Sequence, residues 1–559
     1  MEYNIPLIPY HLLGPETQVV GEGTYGTVAL HSNVLPQLKE YGLNDSRYMV
    51  KSCKDKPECR PTSSTITEFL MSCNFKHPRL ATAVAYCVDD DRNIKLVFER
   101  YECSLRSYLN RNKCMGGIPD HIALSITKDI IEAVSFLHAN NVAHYDIKMS
   151  NALVRYEDGK IRASLSDFGS CDMRMSQNEM CQVRTTINYT PPELLTTNPS
   201  CFGPAVDIWS IACIVYELYT NKYAIDRKSI NSSINAIYSK LGPPTIEEQK
   251  FLTGHGVVLP VKIKNVISHP IRMTNLPLEK ERRKAGYPVA SRFIEEALTY
   301  IPSNRPVIRD VITWFDIPPP EVGTSRMISV NKVIDPSDLT NKITLNKFYM
   351  EIILSIRKLC IINKTLVSSS FGKSHLSYER FGDVFYAIEY LLLHSYKYPD
   401  EKIDVGHVAC YFYLATCVNG VHVELPCIQH IPTYANTDLF AMLPRCLDVI
   451  KHSPVPVTAY DCLRWEYDPS NIMDIRQVES MTTKVNLSLF LLYIGGRYNY
   501  NPTDMYNLLY FRSPVDVRFI HEGMNGMSAD PMSNEWRMLN LTPDIVRRQL
   551  TLSYESPAG

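Results

Sequence analysis

The chain has 559 residues, too many for one hydrophobic core, so two domains are the default expectation. Apolar residues make up 45% and charged residues 21%, a globular composition rather than one of disorder or of a membrane protein. A formal net charge of −1 supplies no field to draw the protein onto nucleic acid or anionic lipid, so neither is expected as a partner.

The opening MEYNIPLIPYHLLGPE lacks the basic start and apolar run of a signal peptide. The apolar stretch LSLFLLYIGG near 487 is too short to cross a bilayer and reads as a buried helix. The expectation is an intracellular protein, cytoplasmic or nuclear, and not secreted. The 16 cysteines form no C-x-x-C pair and are expected to be reduced thiols rather than a zinc site. From about Glu16 to Glu99 the sequence is strand-like, with one helical segment around 63–76. From about Ser104 to Trp314 it is mostly helical, and Ile122, Ile126, Ile130 and Val134 recur at helical spacing. The run IPPPEVG at 317–323 cannot continue a helix and marks a domain boundary. Beyond about Asn346 the sequence is again helical and rich in tyrosine.

Two clusters carry chemistry. In Gly21-Glu-Gly23-Thr-Tyr-Gly26-Thr-Val28, glycines let a backbone turn sit tightly over phosphates. Dinucleotide-binding folds share that spacing but follow it with a helix. Here a strand, a loop and a second strand ending in Lys51 follow, and Glu68 on the next helix is placed to orient that lysine. The bland alternative is a glycine-rich hairpin and a surface lysine. The second cluster is His144-Tyr-Asp146-Ile-Lys148-Met-Ser-Asn151, then Asp167-Phe168-Gly169. Phosphoryl transfer needs positioning and charge neutralisation more than covalent help. Asp146 suits alignment of a substrate hydroxyl, Lys148 a phosphate under transfer, and Asn151 and Asp167 the hard oxygen ligation that Mg²⁺ prefers.

In this order the motifs resemble the eukaryotic protein kinase family, over about residues 14–316. The resemblance implies an α+β bilobal protein kinase fold, with a β-rich small lobe and a helical large lobe, using ATP and Mg²⁺ on protein substrates. Pro191-Pro192-Glu193 looks like the end of the activation segment, with Arg305 as its buried ion partner. Asp207-Ile-Trp-Ser210 looks like the helix start that anchors the catalytic loop. Lysine two residues after Asp146 is the serine/threonine-type choice.

Within the family the chain is most similar to cyclin-dependent kinases, whose loop GEGTYG matches almost letter for letter. By that resemblance the backbone at Glu99 and Tyr101 would hold adenine, Phe98 would close the back pocket, and Val20, Val28 and Leu153 would sandwich the ring. Ile66 falls where those kinases receive a cyclin, and LGPPTIEEQ at 241–249 echoes a late segment of theirs.

Some departures bear on mechanism. The three arginines that clamp a phosphothreonine in that group correspond to Tyr145, Thr67 and Asp172, and the phosphothreonine itself to Cys181. No cation would meet a phosphate there. Slippage of the alignment toward Arg174 or Arg184 is the alternative. Met49 replaces the usual alanine beside adenine, and Thr190 an arginine that helps demand proline after the target residue.

Residues 317–345 read as a Pro-containing linker and 346–559 as a mainly α-helical domain. Phe381, Val384, Phe385, Ile388, Leu391 and Leu392 mark one helix, and Val405, Val408, Ala409, Phe412 and Ala415 the next, across the turn KYPDEK. Helix, turn, helix looks like the middle of a cyclin box, which would allow activation in cis through the helix carrying Ile66. Thr416-Cys417 stands where cyclins carry a charged pair, so an unrelated docking domain is the alternative. The basic cluster 280–284 reads as a solvated loop or a nuclear signal. The leading expectation is an active serine/threonine kinase. The competing one is a pseudokinase scaffold that binds nucleotide and partner proteins, and a third makes the helical region the main functional part.

Overall fold

The computed structural model describes most of residues 5–320 apart from short loops, 174–185 and 260–286, and beyond them much of 386–418 together with 438–451. Two compact units result, Met1–Ser325 with Cys417–His422, and Arg326–Thr416 with Val423–Gly559.

The first unit opens with a five-stranded antiparallel sheet of β1 (Glu16–Glu22), β2 (Gly26–Ser32), β3 (Arg47–Cys53), β4 (Ala85–Val88) and β5 (Ile94–Phe98), in the order β1-β2-β3-β5-β4. Along β3 the side chains alternate in burial, as a half-buried strand requires. Tyr48 and Val50 sink into a core with Ile8, Leu12, Leu38, Leu43, Ala85, Cys87 and Val97. Met49 and Lys51 are therefore left on the other face, opposite Phe98 and Leu96 of β5. Residues before β1 also belong to this core, since Ile8 and Tyr86 are tied by a backbone bond of 2.9 Å. After β3 comes helix α1 (Ser63–Asn74), which buries Ile66, Phe69, Leu70 and Met71.

The rest of this unit is mainly helical: α2 (Leu105–Arg111), α3 (Asp120–Ala139), α4 (Ala205–Thr220), α5 (Ile230–Leu241), α6 (Ile246–Gly254), α7 (Tyr287–Ala297) and α8 (Ile308–Trp314). A small sheet of β6 (Cys103–Ser104), β7 (Ala152–Glu157) and β8 (Lys160–Leu165) carries the catalytic-loop residues on its flanks. In the expected α3 stripe of Ile122, Ile126, Ile130 and Val134, the last three are buried and Ile122 is partly exposed. In α4 burial covers Val206 through Thr220, so it is the central helix of the lobe. The Thr-x-x-Glu of the 241–249 segment forms a capping box, Thr245 and Glu248 each satisfying the other's backbone N–H. A β-sheet lobe followed by a helical lobe is the fold that the sequence resemblance implied.

In the second unit the helix expected from Val405 to Ala415 is α9 (Val405–Val418), whose Val408, Ala409, Phe412 and Ala415 are buried. Tyr386, Ala387, Tyr390, Leu391, Leu393, His394 and Lys397 are helical residues of the preceding segment. Phe381, Val384, Phe385, Ile388 and Leu392 lie outside the described residues, as do 280–284, the stretch near 487, and most of the linker. Helix α10 (Leu439–Ile450) is capped by Asp438, which accepts from Ala441 N–H, and it meets the earlier segment through Lys397 and Asp448 at 2.9 Å. Among the described residues, no helix is long and apolar enough to cross a membrane, and eight cysteines are free thiols.

Candidate active site

Strand register sets the first half of the site. Gly21 pairs with Val28 and Val28 with Lys51, so the strand leaving the glycine loop lies directly beside the lysine. Gly21 is the last residue but one of β1 and Gly26 the first of β2, while Gly23 lies outside the described residues. Lys51 Nζ donates to Glu68 Oε2 at 2.6 Å and to Asp167 Oδ1 at 2.7 Å. Burial opposes charge on this lysine, but the attraction of Glu68 and Asp167 outweighs it and holds the ammonium well above its usual range. Burial likewise disfavours charge on Asp167, yet Lys51 wins and keeps its carboxylate below the ordinary value, hence ionised.

Why α1 stands close enough for this pairing is visible at Gly169. A Cβ there would fall 1.8 Å from Ser64 Oγ and 3.1 Å from Ser64 O, so glycine alone lets the Asp167-Phe168-Gly169 turn press on the helix bearing Glu68. Phe168 is fully buried, with its ring 5.5 Å from that of His144.

The catalytic loop is the second half. Asp146 Oδ2 accepts from Lys148 Nζ at 2.6 Å and from Asn151 Nδ2 at 3.0 Å. Asn151 Nδ2 also donates to the Asp146 carbonyl at 2.9 Å, which leaves the amide oxygen of Asn151 for another ligand. Burial is the largest influence on Asp146 and lifts its carboxyl above the ordinary range, against the pull of Lys148. The loop holds a strained residue, since Tyr145 sits at φ 63°. Asp207, at the start of α4, stabilises it by accepting Tyr145 N–H at 2.9 Å and His144 N–H at 2.8 Å. Asp207 thus anchors the loop as the resemblance implied, and His138, whose Nε2 lies 2.9 Å from the same Oδ2 that accepts from His144, is a support that spacing alone did not reveal. Arg305 and Glu193 form the expected ion pair, with two bonds of 2.7 Å and no exposed side-chain surface.

Thr186 is the residue whose role sequence reasoning missed. Its hydroxyl donates to Asp146 Oδ1 at 3.0 Å and accepts from Lys148 Nζ at 2.9 Å, so it closes a ring with both. In the sequence it reads only as one of two adjacent threonines that could accept phosphate.

Across the cleft, Val20 is half exposed, Val28 and Leu153 are partly buried, and Phe98 ends β5 with Glu99 and Tyr101 beyond it. Arg155 pairs with Glu99 at 3.2 Å and lies 5.2 Å from the ring centre of Tyr101. The positions matching the phosphate clamp are buried instead: Tyr145 packs with Ala143, Val206 and Leu194, while Asp172 exchanges two backbone bonds of 2.9 Å with Ala143. Thr67 is also buried, and Cys181, Arg174 and Arg184 lie outside the described residues.

This arrangement of a paired lysine, two acidic groups and an asparagine agrees with the comparisons with known proteins. The family model for the protein kinase domain matches residues 15–314, over half of the chain. CTD kinase subunit alpha of Saccharomyces cerevisiae is 31% identical over 234 residues, 41% of this chain and 40% of that one. Mouse cyclin-dependent kinase 4 is 31% identical over 174 residues, 30% of this chain and 55% of that one. Human cyclin-dependent kinase-like 4 is 28% identical over 285 residues, 51% of this chain and 70% of that one. The chain thus spans about half the length of the first of these relatives. On the extent of the family match, the chain belongs to the protein kinase family.

Proposed function

We propose that this protein transfers the γ-phosphate of ATP to serine or threonine hydroxyls of protein substrates with Mg²⁺ as cofactor. The observation that carries the reading is the double tie at the cleft: Lys51 to Glu68 and Asp167, and Asp146 to Lys148 and Thr186. Glycines 21, 23 and 26, with Val20, Val28, Phe98, Glu99, Tyr101 and Leu153, would hold the nucleotide, and Lys51 its phosphates. Asp167 and Asn151 fit a hard cation, because one is an ionised carboxylate and the other keeps an amide oxygen unused by Asp146. When bound, Mg²⁺ neutralises charge developing on the phosphate oxygens. Asp146 aligns the attacking hydroxyl and accepts its proton, and its raised affinity for a proton suits that task. Lys148 stays beside the phosphoryl group under transfer, and Thr186 fixes both side chains at the required spacing. A lysine two residues beyond Asp146 supports the serine/threonine choice by resemblance.

The test is incubation of the full chain with labelled ATP and Mg²⁺, followed by identification of the phosphorylated residue. Labelled phosphoserine or phosphothreonine supports the reading. Nucleotide binding without transfer to any protein would establish the pseudokinase scaffold instead.

The C-terminal helical unit is proposed as the element that regulates or docks for the kinase. In support, Glu68 is already paired although Tyr145, Thr67 and Asp172 offer no cation to an activating phosphate. Cyclin-like activation in cis through the helix carrying Ile66 accounts for that combination. A kinase unit ending at residue 325 that keeps full activity on a short peptide would reject it and favour recruitment of substrates.

A further inference from the structure

Among the described residues, one group of three side chains away from the cleft brings its ligand atoms within 4.8 Å of one another: His394, Glu401 and His407. His394 stands on the helical segment before the turn, Glu401 in the turn, and His407 in the first turn of α9. Glu401 lies between the imidazoles, with Oε1 3.4 Å from His407 Nε2 and Oε2 3.7 Å from His394 Nε2. Four-coordinate zinc with bonds of about 2.0–2.2 Å places neighbouring ligand atoms about 3.3–3.6 Å apart, by tetrahedral geometry. The two rings, 4.8 Å apart at 74°, meet edge to face rather than stacked.

The cluster also has the surroundings of a ligand set. His394 is fully buried, and its Nε2 has no hydrogen-bond partner although it faces the other two groups. Its Nδ1 is 2.6 Å from the Tyr411 hydroxyl. His407 Nδ1 lies 2.8 Å from Asp404 Oδ1, and that carboxylate also accepts the backbone N–H of His407 as a cap on α9. Arg445 donates to Glu401 Oε2 at 3.1 Å and stacks 3.5 Å from the Tyr398 ring centre, leaving Oε1 toward His407. Each ligating group thus has an outer partner that fixes its orientation, the arrangement metal-binding histidines and carboxylates use. His394 Nε2, His407 Nε2 and the Glu401 carboxylate thus lie together, three groups of the kind that bind zinc.

We propose that His394, Glu401 and His407 form a binding site for a divalent zinc-type cation that ties the helical segment before residue 398 to α9. Three protein ligands leave a fourth position for solvent, consistent with a Glu401 side chain that is about one-third exposed (32%). The cation closes the turn 398–404 as a clip, and so stabilises the helical unit by preferring its folded state.

The full chain is stripped with a chelator and titrated with Co²⁺, whose visible spectrum reports coordination. The expected result is one equivalent with a tetrahedral spectrum and no thiolate charge-transfer band, displaced by Zn²⁺. That band matters because the chain has 16 cysteines that could bind metal themselves. Glu401→Gln, which keeps the shape of the side chain, is expected to weaken cobalt binding at least tenfold. Chelation should lower the thermal midpoint of the wild type by about 5 °C and leave that of Glu401→Gln unchanged. His394→Ala empties a buried position and can unfold the unit, so the wild type and Glu401→Gln decide. No uptake by the wild type, a thiolate spectrum, or equal uptake by Glu401→Gln overturns the proposal.

Discussion

The cleft and the seat of the activation segment are neighbours built on opposite principles. In the cleft, charged and polar side chains hold one another: Lys51 lies between two carboxylates, and Asp146 between Lys148, Asn151 and Thr186. At the seat, the positions where related kinases carry arginines hold Tyr145, Thr67 and Asp172, all buried. Tyr145 packs against Leu194, just beyond Pro191-Pro192-Glu193, so the end of the segment rests on an apolar contact with the catalytic loop. The contrast separates two jobs that a kinase performs with charge. Transfer demands charge because the reacting group is highly charged. Holding the segment against the loop at Tyr145 needs no phosphate, and burial of an aromatic ring serves equally well at any phosphorylation state.

If the cleft is the charged half, removing its charges should have the largest effect of all. Asp146→Asn, Asp167→Ala and Lys51→Met are each expected to cut the transfer rate by about 10²–10⁴-fold while far-ultraviolet circular dichroism stays unchanged. Because they surround one transition state, the double variant Asp146→Asn/Lys51→Met should be scarcely worse than the poorer single variant. Near wild-type transfer by Asp167→Ala under Mg²⁺ would show that the metal ligand had been misassigned.

Much of that half was legible in the sequence, for a physical reason. Groups that meet one phosphate must be of fixed type and must follow one another at fixed spacing, so Lys51, Glu68, Asp146, Lys148, Asn151 and Asp167 could be picked out by order alone. Thr186 and His138 could not, because a hydroxyl or an imidazole that acts through a neighbour has many bland uses. The strain at Tyr145 was likewise invisible, since φ 63° is imposed by Asp207 from a helix over sixty residues away. Met49 lies on the Lys51 face of β3, the side on which the resemblance put a residue beside the nucleotide. In the helical unit, the 3.6-residue periodicity found α9. The His394–Glu401–His407 cluster joins two helical segments across a turn, and no single periodicity links its members.

The charged element that does hold the activation segment is Arg305 with Glu193, and it offers the next largest effect. Arg305 also donates to the carbonyls of Ala205 and Thr299, so its guanidinium is satisfied inside the protein. Arg305→Met would leave Glu193 buried and unpaired, which costs about 3–5 kcal/mol. Chemical denaturation should register most of that loss, and the double variant Arg305→Met/Glu193→Gln should recover part of it. A loss under 1 kcal/mol for Arg305→Met would mean that the apolar contacts carry the seat without this pair.

A smaller effect follows from the protonation of Asp146. Its carboxyl sits above the ordinary range through burial, with Lys148 opposing. As a base it works only when deprotonated, so activity is full above that raised pKa and falls as pH drops through it. The fall is limited to about tenfold per pH unit for one group, from the definition of pKa. It should begin at a higher pH than an ordinary aspartate, with a pKa of about 3.9, would give. The residual rate of Asp146→Asn should lack this limb, which separates it from titration of ATP itself. A limb shared equally by both proteins would assign it to the substrate.

The smallest expected effect is the one that distinguishes the neutral seat most directly from an ordinary phosphate switch. Phosphatase treatment of the full chain should leave transfer within about twofold, and Cys181→Ala should be equally mild. A phosphate arriving near Tyr145, Thr67 and Asp172 would meet a buried ring, a hydroxyl and a carboxylate, and charge-assisted bonds need a cation among them. Phosphorylation of Thr186 is no remedy, because its oxygen already lies 3.0 Å from Asp146 Oδ1 and a dianion there would repel the base. By the same reasoning, restoring one arginine with Tyr145→Arg should reduce activity rather than raise it. The guanidinium would enter a pocket lined by Ala143, Val206 and Leu194, where it loses its hydration and displaces a packed aromatic ring. A strong loss on dephosphorylation, mapped to Thr185, would reverse this conclusion and make charge the organising principle on both sides of the catalytic loop.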